Sequence, residues 1–277
     1  MNNERHYPQR SGSASRVLML AGSPLLLLAV FCLSADAQES SDQPPSAGQL
    51  LQSADQLLAA ESFDEAYALA DKAAKLSPNA AGVLQRAAEI MYLSGHSKQS
   101  LPLFDRVVEL APESAPQNWQ RGIALCSCGD FERGAEQFKT HHDVNPDDVE
   151  NSAWYFLCIA KTKGLKAARE TVIPSRGDGR QPMMSVLKML KGELEPEGVL
   201  KAAADESLTG RAGKTARFYG DLYVGLYYDS LGKQAEAIAA LKRSQEYGIS
   251  GYMVSTARVY LHDRFPPSDP TRPQESN

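Results

Sequence analysis

A few residues of this chain have types that could do chemistry, and their spacing decides what is left of each idea. His141-His142-Asp143 would suit a divalent metal, but two histidines on one helix face must stand three or four residues apart, and adjacent ones point about 100° apart. No metal centre is expected there. Gly213-Lys214-Thr215 has the ending of a phosphate-cradling loop, yet that loop needs glycine at 208, where Leu208 stands, and a strand before it. No nucleotide and no other cofactor is expected. Arg176-Gly177-Asp178 copies a cell-adhesion tripeptide by coincidence. With Arg180 it forms the one cluster on which an enzyme could be built, but no nucleophile–base pair accompanies it.

Cys126, Cys128 and Cys158 need the same weighing. The first two are too close on one helix to bridge each other, whereas either could reach Cys158 if the Cα spacing allowed it. The simpler expectation is that all three pack as small apolar side chains. No base is placed to make any of them a nucleophile. The chain is therefore read as non-catalytic, and the remaining question is what its elements hold in place.

Composition narrows the classes. The 277 residues carry 29 Lys+Arg against 34 Asp+Glu, a net charge of -5, which offers no basic face for nucleic acid. Apolar residues at 43% are enough to bury a core, and four cysteines are too few for a disulfide scaffold.

Residues 1–37 read as a secretory signal. Arg5, Arg10 and Arg16 precede an apolar run from Val17 to Leu33, interrupted at Gly22-Ser23-Pro24, and Ala35-Asp36-Ala37 supplies the cleavage pattern. The cut is expected between Ala37 and Gln38, which sends the chain to the periplasm or cell envelope. The alternative is an uncleaved N-terminal anchor, and only that or lipidation would bring a membrane into play. Cys32 lies where a lipid-modified cysteine would, but Phe31 before it is not the small residue a lipobox needs.

From there a 34-residue period takes over. Pro78, Pro112 and Pro146 keep that spacing, as do Gly95 and Gly129, and Phe104 and Phe138. Each unit should be a helix–turn–helix hairpin. Small residues recur where the paired helices must approach, at Ala54, Ala88 and Gly122 in the first helices and Ala66, Ser100 and Gly134 in the second. Glycine turns the chain between the helices, except in the first unit, which has Glu61. Proline closes each second helix.

These residues resemble the tetratricopeptide repeat (TPR). The resemblance implies an all-α, right-handed α-solenoid of TPR-like hairpins with a helical insertion and a C-terminal capping helix. Its expected limits are a disordered linker at 38–46, units at 47–80, 81–114, 115–148 and 149–174, an insertion at 175–217 with helices near Met183–Lys191 and Glu197–Ala204, a unit at 218–249, a cap at 250–264 and a disordered tail at 265–277. It also implies a concave groove lined by the first helices. The residues expected to bind a partner there are Leu51 and Asp55 in unit one, Gln85, Glu89 and Tyr92 in unit two, and Trp119, Ile123 and Cys126 in unit three. Aromatic anchors beside acids suit an extended peptide or a partner helix. Leu51 and Asp55 replace the Lys and Asn that carboxylate-gripping TPR domains use, so chaperone tails are not the expected ligand.

The irregular order of units also resembles the NlpI-type TPR lipoproteins, through Gln120-Arg121-Gly122-Ile123-Ala124-Leu125, Trp154 to Ala160, Leu200 to Asp205 and Phe218 to Gly232. Members of that family are non-catalytic homodimeric adaptors that join envelope proteolysis to peptidoglycan remodelling. The resemblance implies an exported scaffold for protein or peptide partners, with a homodimer left open. The chain departs from the family in its missing lipobox and its short polar N-terminal arm. The rival expectations are a self-assembling structural solenoid and an enzyme built on the 175–182 loop.

Overall fold

The computed structural model describes residues 44–266. The signal segment at 1–37, the linker up to residue 43 and the tail from residue 267 lie outside the described residues. The described chain is all-helical, as expected, with twelve α-helices and two short 3₁₀ turns. Three hairpins come first: α1 (Ala47–Ala59) with α2 (Phe63–Leu76), α3 (Ala81–Leu93) with α4 (Ser97–Leu110), and α5 (Trp119–Ser127) with α6 (Phe131–His142). Then follow α7 (Val149–Glu170), α8 (Met183–Lys191), α9 (Pro196–Ala203), the pair α10 (Gly210–Ser230) and α11 (Gln234–Ser244), and α12 (Tyr252–Arg264). From α1 to α11 each helix packs against the next in the chain, apart from the 3₁₀ turn that also separates α4 from α5.

The local causes are those the repeat pattern names. Gly95, Gly129 and Gly232 turn the chain at φ of 88°, 80° and 71°, a region that side chains resist. Glu61 makes the same turn at φ 60°, the one non-glycine with positive φ among the described residues. α2, α4 and α6 stop at Leu76, Leu110 and His142, just short of Pro78, Pro112 and Pro146. The small positions are contact points. A Cβ on Gly122 would lie 2.8 Å from the Phe138 ring, one on Gly134 2.9 Å from the Cys158 sulfur, and one on Gly225 2.8 Å from Leu241.

Four features differ from the sequence expectations. A 3₁₀ turn at Pro112–Gln117 opens the third unit, and α5 starts only after Asn118, whose side chain accepts from the Arg121 amide at 3.3 Å. The fourth unit is broken inside α7, where Gly164 takes φ 87° and ψ 165° and leaves a short second arm. α10 begins at Gly210 rather than Phe218, so Gly213-Lys214-Thr215 lies inside a helix, where a Cβ on Gly213 would strike the Leu208 carbonyl at 2.2 Å. Finally, α12 does more than close the end of the chain. It packs on α11 and also across α3 and α5, the first helices of the second and third units.

Two apolar clusters hold these elements. The smaller joins α1, α2, α3 and α4 through Leu50, Ala66, Leu84 and Val107, and the larger runs from Phe104 and Ile123 through Trp154 and Leu222 to Tyr260. Among the described residues, no helix is long and apolar enough to cross a membrane.

Candidate functional site

The first-helix face is where the sequence places partner binding, and α12 lies on it. Trp119 meets Tyr252 edge-on with ring centroids 4.9 Å apart, and Trp154 meets Tyr260 the same way at 5.5 Å. Arg258 donates to the Leu93 carbonyl at 2.5 Å and lies 4.0 Å over the Phe63 ring. Ser97 donates to Asp263 at 2.5 Å, and Arg264 covers Phe131. These contacts join the C-terminal helix to α2, α3, α4, α5, α6 and α7.

The eight predicted groove residues divide into two sets under this arrangement. Tyr92, Ile123 and Cys126 are buried, and Leu51 is buried as well. The Tyr92 hydroxyl sits 3.1 Å from Ser127 Oγ, and burial pushes its phenol pKa up. Cys126 turns toward α7, its sulfur 3.2 Å from that of Cys158 as two unbridged thiols. Leu51 belongs to the smaller core between α1, α2 and α3. An open groove offering these four side chains to a partner is therefore not what the structure has. The sequence pattern fixes which face they occupy but not that α12 covers part of it.

Asp55, Gln85, Glu89 and Trp119 stay partly exposed. The polar three belong to one network. Arg86 pairs with Asp55 and, at 2.7 Å, with Glu89, while Gln85 donates to Glu89 at 2.9 Å and accepts from Asn118 at 2.9 Å. Burial alone would lower the Arg86 pKa, but its bonds to Asp55 and Glu89 prevail and raise it. A cleft of about 600 Å³ opens between this network and the start of α12, with Asp55, Arg86, Glu61 and Arg258 on its walls. Arg86 and Arg258 are residues of the cleft wall that the groove positions missed. The signal for Arg86 was its place one turn from Glu89 and beside the preceding unit's first helix, which carries Asp55.

A second, more enclosed cavity of about 290 Å³ lies between α5, α7 and α12. Trp119, Ile123, Phe138, Trp154 and Met253 give it apolar walls, and Asp148, Glu150, Asn151 and Arg180 give it a polar side. The insertion loop builds that side. Arg180 gathers Asp148 and Asp178, each at 2.6 Å, together with Glu150, which also accepts from the Tyr223 hydroxyl. Burial raises the Glu150 carboxyl against the pull of Arg180 and Tyr223. Burial would raise Asp178 too, but its hydrogen bonds to Arg180 hold it below the ordinary carboxylate value.

Nearby, Arg176 binds Asp147 at 2.6 Å and, with its backbone amide, holds that carboxyl down to about 2. Arg176, Asp178 and Arg180 thus tie the insertion to the start of α7. His141 is buried with Nδ1 2.8 Å from the Pro116 carbonyl, which makes Nδ1 the protonated nitrogen. No family model matches this chain, and no curated protein matches it in sequence.

Proposed function

We propose that the chain is an exported, non-catalytic scaffold, a right-handed TPR-like solenoid that binds protein or peptide partners on its first-helix face. The observation that carries this reading is α12 itself. A helix with Tyr252 and Tyr260 set against Trp119 and Trp154 already occupies part of that face, which supports the reading that its side chains accept a helical segment. The cleft beside it, walled by Asp55, Arg86 and Arg258, leaves room for a partner segment to lie alongside α12. Aromatic and arginine side chains at such a place supply most of the binding energy in protein interfaces.

The N-terminal signal pattern and the resemblance to NlpI-type adaptors extend the proposal to the cell envelope, where the partners would be enzymes of proteolysis or peptidoglycan remodelling. The test is photocrosslinking in envelope extract with a reactive residue at Asp55 or Trp119. Capture of one or two defined proteins at these positions, lost when Arg86 is changed to Glu, supports the scaffold. Crosslinking to nothing but the chain itself at both positions rejects it.

A further inference from the structure

We propose that Cys126 and Cys158 are a site of oxidative modification, joined by a disulfide when the chain folds in an oxidising compartment. The bond would staple α5, the first helix of the third unit, to α7. The two sulfurs lie 3.2 Å apart although their residues are 32 apart in sequence. Both converge on Gly134 of α6, where a Cβ would come within 2.9 Å of the Cys158 sulfur and 3.3 Å of that of Cys126. A residue without a side chain at that crossing is what leaves room for the pair. Closing to the bond length of about 2.0 Å asks for a further approach of about 1.2 Å, shared between two side chains. Cys128 is not part of the pair. It caps α5, is half-buried, and lines a separate cleft with Lys98, His262 and Asp263.

The oxidant is an external disulfide, a small molecule or a carrier protein written RSSR. One cysteine thiolate attacks it, forming a mixed disulfide and releasing RS⁻. The second thiolate then attacks the sulfur of the first cysteine and expels the other RS⁻. The two protons lost by the cysteines go to the two RS⁻ groups. Two protein thiols are oxidised by two electrons in all, and RSSR is reduced to two RSH. Both sulfurs are buried in the finished fold, and burial pushes the Cys126 thiol well above its ordinary value. Thiolate is scarce there, so the exchange belongs to the stage at which α5, α6 and α7 are still assembling. The same burial then shields the finished bond from reductants. Pairing does not depend on the scaffold reading; only its oxidising setting follows from export.

The whole chain is unfolded, reduced and refolded in a glutathione buffer held at the poise of an oxidising compartment. Free thiols are then alkylated in denaturant, and the digested chain is mapped by mass spectrometry. Peptides carrying Cys126 and Cys158 should be linked in most of the wild type and of Cys128→Ser, while wild-type Cys128 is alkylated. Fragmentation of the linked peptide separates Cys126 from Cys128. Cys126→Ser should lower the linkage of Cys158 about tenfold or more. The linked wild type should unfold at a urea midpoint about 1 M above the same protein refolded with reductant, because the bond closes a loop of this length in the unfolded chain. Alkylation of both Cys126 and Cys158 after oxidative refolding would overturn the proposal. So would a link from Cys158 to Cys128, or a linked protein no more stable than the reduced one. If Cys126→Ser does not fold, the wild-type and Cys128→Ser maps decide.

Discussion

The Tyr260 hydroxyl donates to one oxygen of Asp229 at 2.5 Å while Lys161 holds the other at 2.6 Å, so a carboxylate that is 4% exposed has both oxygens engaged. Three helices meet at that group: α12 through Tyr260, α10 through Asp229 and α7 through Lys161. Tyr260→Phe keeps the ring against Trp154 and removes the hydroxyl alone. A hydrogen bond to a charged group is worth about 1.5–3 kcal/mol, and a loss in that range is expected in urea unfolding. Hydrogen exchange should rise most across 252–264, because α12 loses its anchor.

Glu61 carries a conformational cost that its counterparts avoid. It sits at φ 60° where the other hairpins use glycine, and an L side chain in that region is disfavoured by about 1–2 kcal/mol. Part of that gain is lost to the greater freedom of glycine in the unfolded chain. Glu61→Gly is expected to stabilise the protein by about 0.5–1 kcal/mol in chemical denaturation. Gly95→Ala, at φ 88°, should shift stability the opposite way.

Gly134 and Cys158 should be energetically coupled. A methyl at Gly134 would come within 2.9 Å of the Cys158 sulfur and 3.3 Å of that of Cys126. Overpacking of this kind costs about 1–3 kcal/mol. Cys158→Ala alone leaves a small void, but in the double variant the added methyl partly fills it. The double-mutant cycle is expected to return a favourable interaction of at least about 0.5 kcal/mol. Simple additivity would mean that the close approach of α5, α6 and α7 does not constrain this residue.

Arg180→Gln tests the cluster that the insertion builds. In the native chain Arg180 depresses Asp178, which contributes stability above the unfolded carboxylate value and loses it as pH falls through the depressed one. Without Arg180, burial is left to raise Glu150 and Asp178 unopposed by that cation. The folded state then keeps protons that the unfolded chain has released, so the variant loses stability as pH climbs past about 4. The gap between the two proteins should be small near pH 3 and widen to about 1–3 kcal/mol at pH 7. That range is set below the usual cost of breaking a buried pair because Arg180 is 42% exposed. Urea unfolding at three pH values checks it, and a gap that stays constant would falsify the shared-cation account.

The hairpins were legible because their determinants are local and repeat. Gly95, Gly129, Pro78, Pro112 and the small residues at each crossing set turn, stop and approach within one unit, and period alone reveals them. What covers Tyr92 and Ile123 was not legible, because it depends on α12 returning from the far end of the chain. No spacing rule links Leu93 to Arg258 or Ser97 to Asp263. The α5–α7–α12 cavity was hidden for the same reason: Trp154 and Asn151 read as ordinary members of an apolar helix until Trp119 and Met253 are brought across from it. Arg180 was noticed as a charged loop residue, but its three carboxylate partners lie on α7's first turn and on the loop itself.

The position of α12 has a consequence for how the protein is made. Ser97 and Asp263, which touch, are 166 residues apart in sequence. Synthesis delivers the N-terminal hairpins first, and these can form from their own contacts. The aromatic strip beneath α12 must then wait, wet and sticky, until nearly the whole polypeptide has emerged. During that interval it is an uncovered apolar surface, and a ribosome stalled before residue 252 would leave it permanently open.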